Sequence, residues 1–260
     1  MSDPRLTPDP ALMTQNRAAQ VAVPVTNLCR RPDGPRDRQL LFGEQVSVLY
    51  EASGWAYVEA AKDGYCGHVL ESTLGTPRNA THRVCVPASH AYRNADLKSP
   101  DLLSLSFGSL VTVTGETKNF AETPQGHIPK GHLAPLDQHH DEPASVAALF
   151  LGTPYLWGGN SRWGIDCSGL VQAALLACGI PCPGDSDQQE STVGASVSGD
   201  YQRNDLLFWK GHVALVVDGE TMIHANAHAM AVSYENIADA IARIKAGGDG
   251  PVTAHRRPGV

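Results

Sequence analysis

Two stretches of the sequence resemble each other at a nearly constant offset, and this duplication constrains the fold more than any other feature. The segment VAVP at 21–24 is echoed by VCVP at 84–87, and DGYCGHVLESTL at 63–74 is echoed by QGHIPKGHLAPL at 125–136. Between these pairs, LLFGEQVSV and LSLSFGSLVTV match in the same order. A repeat of this period predicts two similar small domains in tandem.

Each copy is rich in short alternating runs that are broken by Gly, Pro, Asn and Asp, as is typical of small β-domains. About five strand-like segments in roughly 55 residues fit an SH3-like barrel. We therefore expect two small all-β barrels at 21–76 and 82–136, preceded by an N-terminal extension at 1–20. The extension contains LTPDPALM, which is not plainly disordered, so it is a candidate to wrap the domains.

The pattern of apolar and polar residues changes after the second repeat. A polar linker, DQHHDEPA, occupies 137–144, and an α+β pattern follows over 145–260. The segment SVAALFLG is helix-like, whereas DLLFWKGHVALVVDGETMIHANAHAMAVSY indicates strands. The short Asp218–Gly219 turn favours an antiparallel hairpin within them. The expected fold class is an α+β domain preceded by two barrels.

Composition excludes several classes of partner. The chain has 20 Lys and Arg against 27 Asp and Glu, a formal net charge of −7, and it has no basic stripe. Neither nucleic acid nor an anionic membrane is therefore an expected partner. No apolar run reaches ~18 residues, so no transmembrane helix is expected. The N-terminus lacks a basic and then apolar leader, and the six scattered cysteines form no CxxC pair, so we expect a cytoplasmic protein with reduced thiols.

The stretch WGIDCSGLVQAALLACG at 163–179 predicts a helix with Cys167 in its first turn. Asp166 is a good N-cap residue, and Gly179 is a good residue to end the helix. The start of a helix favours an anion and can lower the pKa of a thiol. Taken alone, however, the pattern favours a buried structural cysteine, and the nearby carboxylate of Asp166 disfavours a thiolate.

A nucleophilic thiol needs a base and a group that orients the base. Of the 11 histidines, His212 opens the run HVALVV, and His224 lies near the end of TMIHAN. If 212–217 pairs with 222–226, the two imidazoles lie together at one end of the hairpin, although a one-residue slip would turn one ring away. No zinc spacing such as HExxH is present, and HHDE at 139–142 is typical of a solvated linker, so no metal site is expected.

Several motifs in order then carry a family resemblance: TPYLWGG, DCSGLVQ, GDSDQQ, DLLFW, GHVALVV and MIHA. Over about 145–255 the chain resembles the NlpC family of papain-like cysteine peptidases, which cut bacterial cell-wall peptides. The resemblance implies that Cys167 is the nucleophile, His212 the general base and His224 the orienting residue. It also implies that Tyr155 helps to stabilise the oxyanion and that no cofactor is needed.

With two SH3-like domains in front, the chain is similar to the γ-D-glutamyl-L-diamino acid endopeptidases. That similarity implies a murein-derived peptide, L-Ala-γ-D-Glu-diamino acid, as substrate, and a set of residues that bind its free amine. The implied residues are Asp37, Tyr65, Asp166, Ser168, Asp185 and Ser186. The chain departs from the subgroup in two places, with Asp37 where Glu is usual and Gly184 where Arg is frequent. A surface acid and a barrel aromatic remain alternative interpretations of Asp37 and Tyr65.

The expected function is therefore cytoplasmic hydrolysis of recycled murein stem peptides. One alternative is an exported endopeptidase that acts on intact peptidoglycan, against which the missing leader argues. The other is a non-catalytic module that binds wall peptide or protein, against which the intact set of Cys167, His212 and His224 argues.

Overall fold

The computed structural model describes residues 3–259 of the chain. The chain divides into two compact units, one ending at Gln138 and one beginning at His139. The first unit is built of strands and short 3-10 turns, and the second combines helices with a sheet. The predicted fold class, an α+β domain preceded by small all-β barrels, is confirmed. Within 3–259, no helix is both long and apolar enough to cross a membrane.

The first barrel is a curled antiparallel sheet with the strand order β3-β2-β6-β5-β4-β1-β7. Alternate side chains point inward and form a core that includes Leu28, Leu40, Val48, Val58 and Val69. Its strands are β1 Arg17–Val21, β2 Val25–Cys29, β3 Arg36–Leu41, β4 Gln45–Ala52, β5 Trp55–Ala60, β6 Cys66–Leu70 and β7 Leu74–Gly75.

This barrel begins earlier than the boundary expected at residue 21, because β1 starts at Arg17 and pairs with β4. The preceding residues also pack on the barrel. Leu6 and Leu12 contact its apolar clusters, and the backbone N–H of Asp9 donates to the hydroxyl of Tyr57 at 3.0 Å. The described part of the N-terminal extension is thus a packed segment of the first unit.

The second barrel consists of a five-stranded sheet, β10-β9-β14-β13-β12, and a three-stranded sheet, β11-β8-β15. Phe42 of the first barrel lies in the core of the second one, and its carbonyl oxygen accepts from the N–H of Leu110 at 2.9 Å. The strands are β8 His82–Val84, β9 Ala88–Tyr92, β10 Asp101–Ser106, β11 Leu110–Val111, β12 Gly115–Glu116, β13 Phe120–Thr123, β14 Gly126–Pro129 and β15 Leu133–Pro135.

The second unit is organised around a six-stranded antiparallel sheet with the order β18-β23-β19-β20-β21-β22. Its helices are α1 Pro143–Ala148, α2 Cys167–Ala177, α3 Ser186–Thr192 and α4 Ile237–Gly247. Its strands are β16 Asn160–Ser161, β17 Gly164–Ile165, β18 Ala195–Ser196, β19 Leu206–Trp209, β20 His212–Val216, β21 Thr221–Asn226, β22 Ala231–Asn236 and β23 Ala254–Arg257. Helices α1 and α2 pack against β20 and β21, and α4 packs through Ile237 and Ile244 on side chains of β19 to β21.

The ends of α2 follow the sequence prediction. The Asp166 side chain caps its start by accepting from the N–H of Gly169, and Gly179 adopts a φ of +76° just after its end. The N–H of Ile180 then returns to the carbonyl of Leu175 at 3.0 Å, which satisfies an otherwise open carbonyl. The predicted cap and stop of this helix are confirmed.

The predicted hairpin of β20 and β21 also forms, but its connection is longer than a two-residue Asp218–Gly219 turn. The strands pair at Leu215↔Ile223 and Val216↔Met222, and residues 217–220 connect them. The Asp218 side chain accepts from the N–H groups of Glu220 and Thr221 at 3.0 and 2.8 Å. This side-chain capping stabilises the wider loop, which the Asp-Gly pattern alone did not indicate.

Candidate active site

Cys167 is the first residue of α2 and is 6% exposed. Burial raises the pKa of its thiol to about 12, and the charge of Asp166 acts in the same direction. Backbone hydrogen bonds from Val213 and Ser168 oppose this shift without reversing it. The resting group is therefore a neutral thiol, because the dry site and the capping carboxylate outweigh the start of the helix.

Asp166 links α2 to the glycine-rich loop before it. One of its carboxylate oxygens accepts from the N–H of Gly169 at 2.6 Å and from the hydroxyl of Ser168 at 3.1 Å, and the other accepts from the N–H of Gly158 at 2.9 Å. These contacts position Cys167 rigidly at the start of the helix.

His212 and His224 lie in direct contact, with Nε2 of His212 2.9 Å from Nδ1 of His224. The hairpin register explains this contact. Continued from Leu215↔Ile223, it places the two histidines on one face of the sheet, two residues apart diagonally. His212 also follows the backbone turn at Gly211, and it pairs with Trp209 of β19 in the antiparallel sheet.

Both imidazoles are neutral near pH 7. Burial and, to a smaller extent, the neighbouring His224 lower the pKa of His212 to about 3. Burial likewise lowers the pKa of His224 to about 4, although Glu235 acts in the opposite direction. A neutral imidazole has one lone pair and can accept a proton. The thiol and both imidazoles are thus uncharged near pH 7.

Tyr155 lies beside the thiol. Its backbone N–H donates to the carbonyl of Met230 at 2.9 Å, and its strand-like segment bridges to Ile165, just before the cap of α2. Burial raises the pKa of the phenol above its ordinary value, and Cys167 and Asp166 add to that shift. The hydroxyl therefore stays protonated and can donate a hydrogen bond.

Glu235 and Arg243, which the sequence patterns did not indicate, extend the site beyond His224. Oε2 of Glu235 lies 3.0 Å from Nε2 of His224, and Arg243 pairs with Glu235 at 2.7 Å. Glu235 lies two residues beyond Ser233, the partner of His224 in the sheet, so it lies on the same face as His224. The predicted strand ended at Tyr234, one residue short of it. Arg243 lies on α4, and no strand pattern points to it.

The two Asp-Ser pairs of the second unit lie at neighbouring helix starts. Asp185 caps α3 and forms a reciprocal capping box with Gln188, and Ser186 is the first residue of that helix. The amide nitrogen of Gln189 donates to the carbonyl oxygens of Ser168 and Pro183, both at 3.0 Å. This bridge ties the start of α2, with Asp166 and Ser168, to the segment that leads into α3.

Asp37 and Tyr65 lie in the first unit. Asp37 is the second residue of β3, and its carboxylate pairs with Nη2 of Arg30 at 2.8 Å. Tyr65 is 2% exposed within the core cluster of the first barrel, and the guanidinium of Arg38 lies 5.7 Å from the centre of its ring. In the described residues 3–259, no group of three or more His, Cys, Asp or Glu side chains could hold a metal ion.

A thiol at a helix start beside an antiparallel sheet, with two contacting histidines on adjacent strands, defines a cysteine peptidase of the papain-like class. The chain matches the NlpC/P60 family over residues 152–245 and the bacterial dipeptidyl-peptidase SH3 domain over residues 28–74. The first match thus lies in the second unit, and the second match lies in the first barrel.

The chain is 33% identical over 213 residues to a γ-D-glutamyl-L-lysine dipeptidyl-peptidase of Bacillus subtilis, covering 72% of this chain and 71% of that protein. It is 37% identical to the protein of the same name from Bacillus cereus, covering 73% and 67% respectively. A crystal structure of an NlpC/P60 family protein from Bacillus cereus shares the fold, with a TM-score of 0.77, 22% identity, and coverage of 93% of this chain and 99% of that one. The chain belongs to the NlpC/P60 family of cysteine peptidases.

Proposed function

We propose that this protein hydrolyses the bond between the γ-carboxyl group of D-Glu and the following diamino acid in murein-derived peptides with a free N-terminal L-Ala. The observation that carries the proposal is the 2.9 Å contact between His212 and His224 beside the helix that begins with Cys167. Two relatives of at least 33% identity are named as γ-D-glutamyl-L-lysine dipeptidyl-peptidases, which supports this bond and a cell-wall peptide as substrate.

In the proposed reaction, His212 takes the thiol proton of Cys167 while sulfur attacks the γ-carbonyl carbon. The Tyr155 hydroxyl and backbone N–H groups at the start of α2 stabilise the resulting oxyanion. As the carbon–nitrogen bond breaks, His212 returns the proton to the leaving amine of the diamino acid, and a thioester remains. Water then adds to the thioester with His212 again as base, which releases the γ-carboxylate and restores the thiol.

Recognition of a free amine is the second part of the proposal. An ammonium group favours a carboxylate, and a charge-assisted contact contributes roughly 1.5–3 kcal/mol. The neighbouring helix starts that carry Asp166 with Ser168 and Asp185 with Ser186 support such a site. For Asp37 and Tyr65 of the first unit, we propose roles in the same recognition on the strength of the family resemblance.

We further propose that the protein works in the cytoplasm, on stem peptides that are being recycled. All six cysteines are free, and unpaired thiols are typical of a reducing compartment. Cell fractionation tests this part separately: the protein should follow a cytoplasmic marker enzyme, and recovery from the culture medium or wall fraction would contradict the location.

The deciding experiment compares L-Ala-γ-D-Glu-L-Lys, its diaminopimelate counterpart and their N-acetylated forms as substrates, with mass spectrometry of the products. We expect cleavage of the free peptides and a loss of about 10–150-fold on acetylation, because an acetylated amine carries no charge. Cys167→Ala should abolish turnover. Cys178→Ala is the matched control, since it removes the thiol at the other end of α2, and it should cleave like the wild type.

Other outcomes would point to the alternative functions. Equal cleavage of free and acetylated peptides would favour an endopeptidase that acts on intact peptidoglycan. No cleavage of any peptide, together with labelling of Cys167 no faster than that of the other five cysteines, would favour a non-catalytic binding module.

A further inference from the structure

Glu235 and Arg243 form an ion pair against the ring nitrogen of His224 that does not face His212. Nε and Nη2 of Arg243 donate to the two carboxylate oxygens of Glu235 at 2.8 and 2.7 Å. One of these oxygens, Oε2, also lies 3.0 Å from Nε2 of His224, whose side chain is 0% exposed. The buried imidazole is thus held between His212 on one side and a carboxylate on the other.

This arrangement decides which nitrogen atoms carry protons. Hydrogen bonds from Arg243 lower the pKa of Glu235, so the group is a carboxylate that only accepts. Nε2 of His224 therefore carries a hydrogen. A neutral imidazole has one N–H, so Nδ1 of His224 must accept, and Nε2 of His212 must be the donor in the 2.9 Å contact. The lone pair of His212 is then left on Nδ1.

We propose that Glu235 is a positioning residue that sets the tautomer of both imidazoles and leaves Nδ1 of His212 as the atom that takes the thiol proton. The inference rests on the proposed roles of Cys167 and His212 in the reaction. In the reversed arrangement, Nδ1–H of His224 would donate to Nε2 of His212. His212 would then carry its proton on Nδ1 and could not accept another there.

Two substitutions break the same ion pair, but only one of them should change the tautomers. In Glu235→Gln, the guanidinium of Arg243 has only donors and retains the amide oxygen, so the amide NH₂ faces His224 and imposes the reversed tautomer. In Arg243→Gln, the carboxylate of Glu235 remains and still accepts from Nε2 of His224. A purely structural ion pair would make the two variants alike.

We expect Glu235→Gln to lower kcat by about 100-fold with little change in KM, because the general base is lost while the substrate contacts remain. Arg243→Gln should keep kcat close to that of the wild type. Nitrogen-15 NMR of the imidazoles at pH 7.5 should find Nδ1 of His212 unprotonated in the wild type and in Arg243→Gln, and protonated in Glu235→Gln.

The pH dependence of kcat/KM provides a second readout, because the two substitutions should shift it in opposite directions. The charged and titratable groups that act on the two imidazoles are Glu235 on β22, Arg243 on α4 and His228 in the loop after β21. Loss of the Arg243 charge raises the pKa of His212, so the acid limb of kcat/KM should move to higher pH. Loss of the Glu235 charge should move the acid limb to lower pH.

Glu142→Gln is the matched control. Glu142 pairs with Nε and Nη2 of Arg203 at 2.6 and 2.5 Å in the same unit, and no histidine is among its partners. This variant loses the same kind of ion pair, and it should keep the wild-type kcat, acid limb and tautomers.

The test separates this inference from the proposed substrate. If wild-type protein fails to cleave L-Ala-γ-D-Glu-L-Lys, the proposed function fails, while the NMR spectra and the rate of Cys167 alkylation by iodoacetamide still report the tautomer and its effect on the thiol. Wild-type tautomers in Glu235→Gln would overturn the inference. So would equal losses of kcat, or of alkylation rate, in Glu235→Gln and Arg243→Gln.

Discussion

At the scale of single residues, burial decides the chemistry of the candidate site. Cys167 lies at a helix start, a position that favours a thiolate, yet burial and Asp166 hold its pKa near 12. Burial also lowers the pKa values of His212 and His224, to about 3 and about 4. All three groups are therefore uncharged near pH 7.

The buried histidines predict a loss of stability in mild acid. In the unfolded chain a histidine binds a proton near pH 6.5, whereas His212 and His224 bind one only near pH 3–4 when folded. Between these values the unfolded state binds more protons, so stability is fully present above pH 6.5 and falls as the pH falls. We expect a loss of about 1–2 kcal/mol per histidine between pH 7 and pH 5.

The measurement is urea unfolding at several pH values, followed by pulsed hydrogen exchange of the β20 and β21 amides. His224→Asn should flatten the pH dependence, whereas His90→Asn, which replaces an exposed histidine, should retain it. Carboxylates such as Glu142, with a pKa of about 2, lose their contribution only at lower pH. An unchanged free energy of unfolding between pH 7 and pH 5 would contradict the prediction.

At the scale of elements, the buried carboxylate of Asp205 links the last strand to the six-stranded sheet. The Asp205 side chain is 0% exposed and accepts from Nε of Arg257 and Nε2 of His255, both at 2.7 Å. The strand β23, which carries both partners, thereby joins the sheet between β18 and β19. The sequence patterns indicated strands from Asp205 onward but not this pairing, since its partners lie about 50 residues apart.

Asp205→Ala should destabilise the second unit by about 1–3 kcal/mol, because it removes the buried acceptor of the Gln202 N–H and of the His255 ring. Urea unfolding of the full chain gives the free energy, and hydrogen exchange should show the amides of β19 and β23 exchanging faster. Asp200→Ala, at an exposed position nearby, is the control and should change little. Equal stability of the two variants would show that β23 is held by its backbone pairing alone.

At the scale of the whole molecule, the duplication predicted two barrels, but not that a side chain of the first lies in the core of the second. Phe42 packs among Val84, Leu105 and Ile128 of the second barrel. At the same junction, Gly43 has a φ of +82°, and a Cβ there would lie 2.1 Å from the carbonyl oxygen of Leu110. The two barrels therefore form one compact unit rather than two independent domains.

Phe42→Ala should destabilise both barrels together, by about 3–5 kcal/mol, because it removes a large side chain that extends from the first barrel into the core of the second. Hydrogen exchange with mass spectrometry under increasing urea checks this: peptides of the first and second barrels should become exposed in one transition that moves to lower urea. Leu97→Ala, at a side chain that is 73% exposed, is the control. A shift confined to the second barrel would show that the barrels unfold independently.

The sequence by itself determined the duplicated β architecture, the helix from Asp166 to Gly179 and the pairing of the two histidine strands. These features follow from local periodicity, capping residues and repeats, which act over a few residues or along one element. Only the tertiary structure decided the protonation states of Cys167, His212 and His224, and the placement of Glu235 and Arg243 behind them. The protonation states and these placements depend on burial and on contacts between β22, α4 and the central strands. A local sequence pattern does not specify how deeply a group is buried or which charged residue of a distant element contacts it.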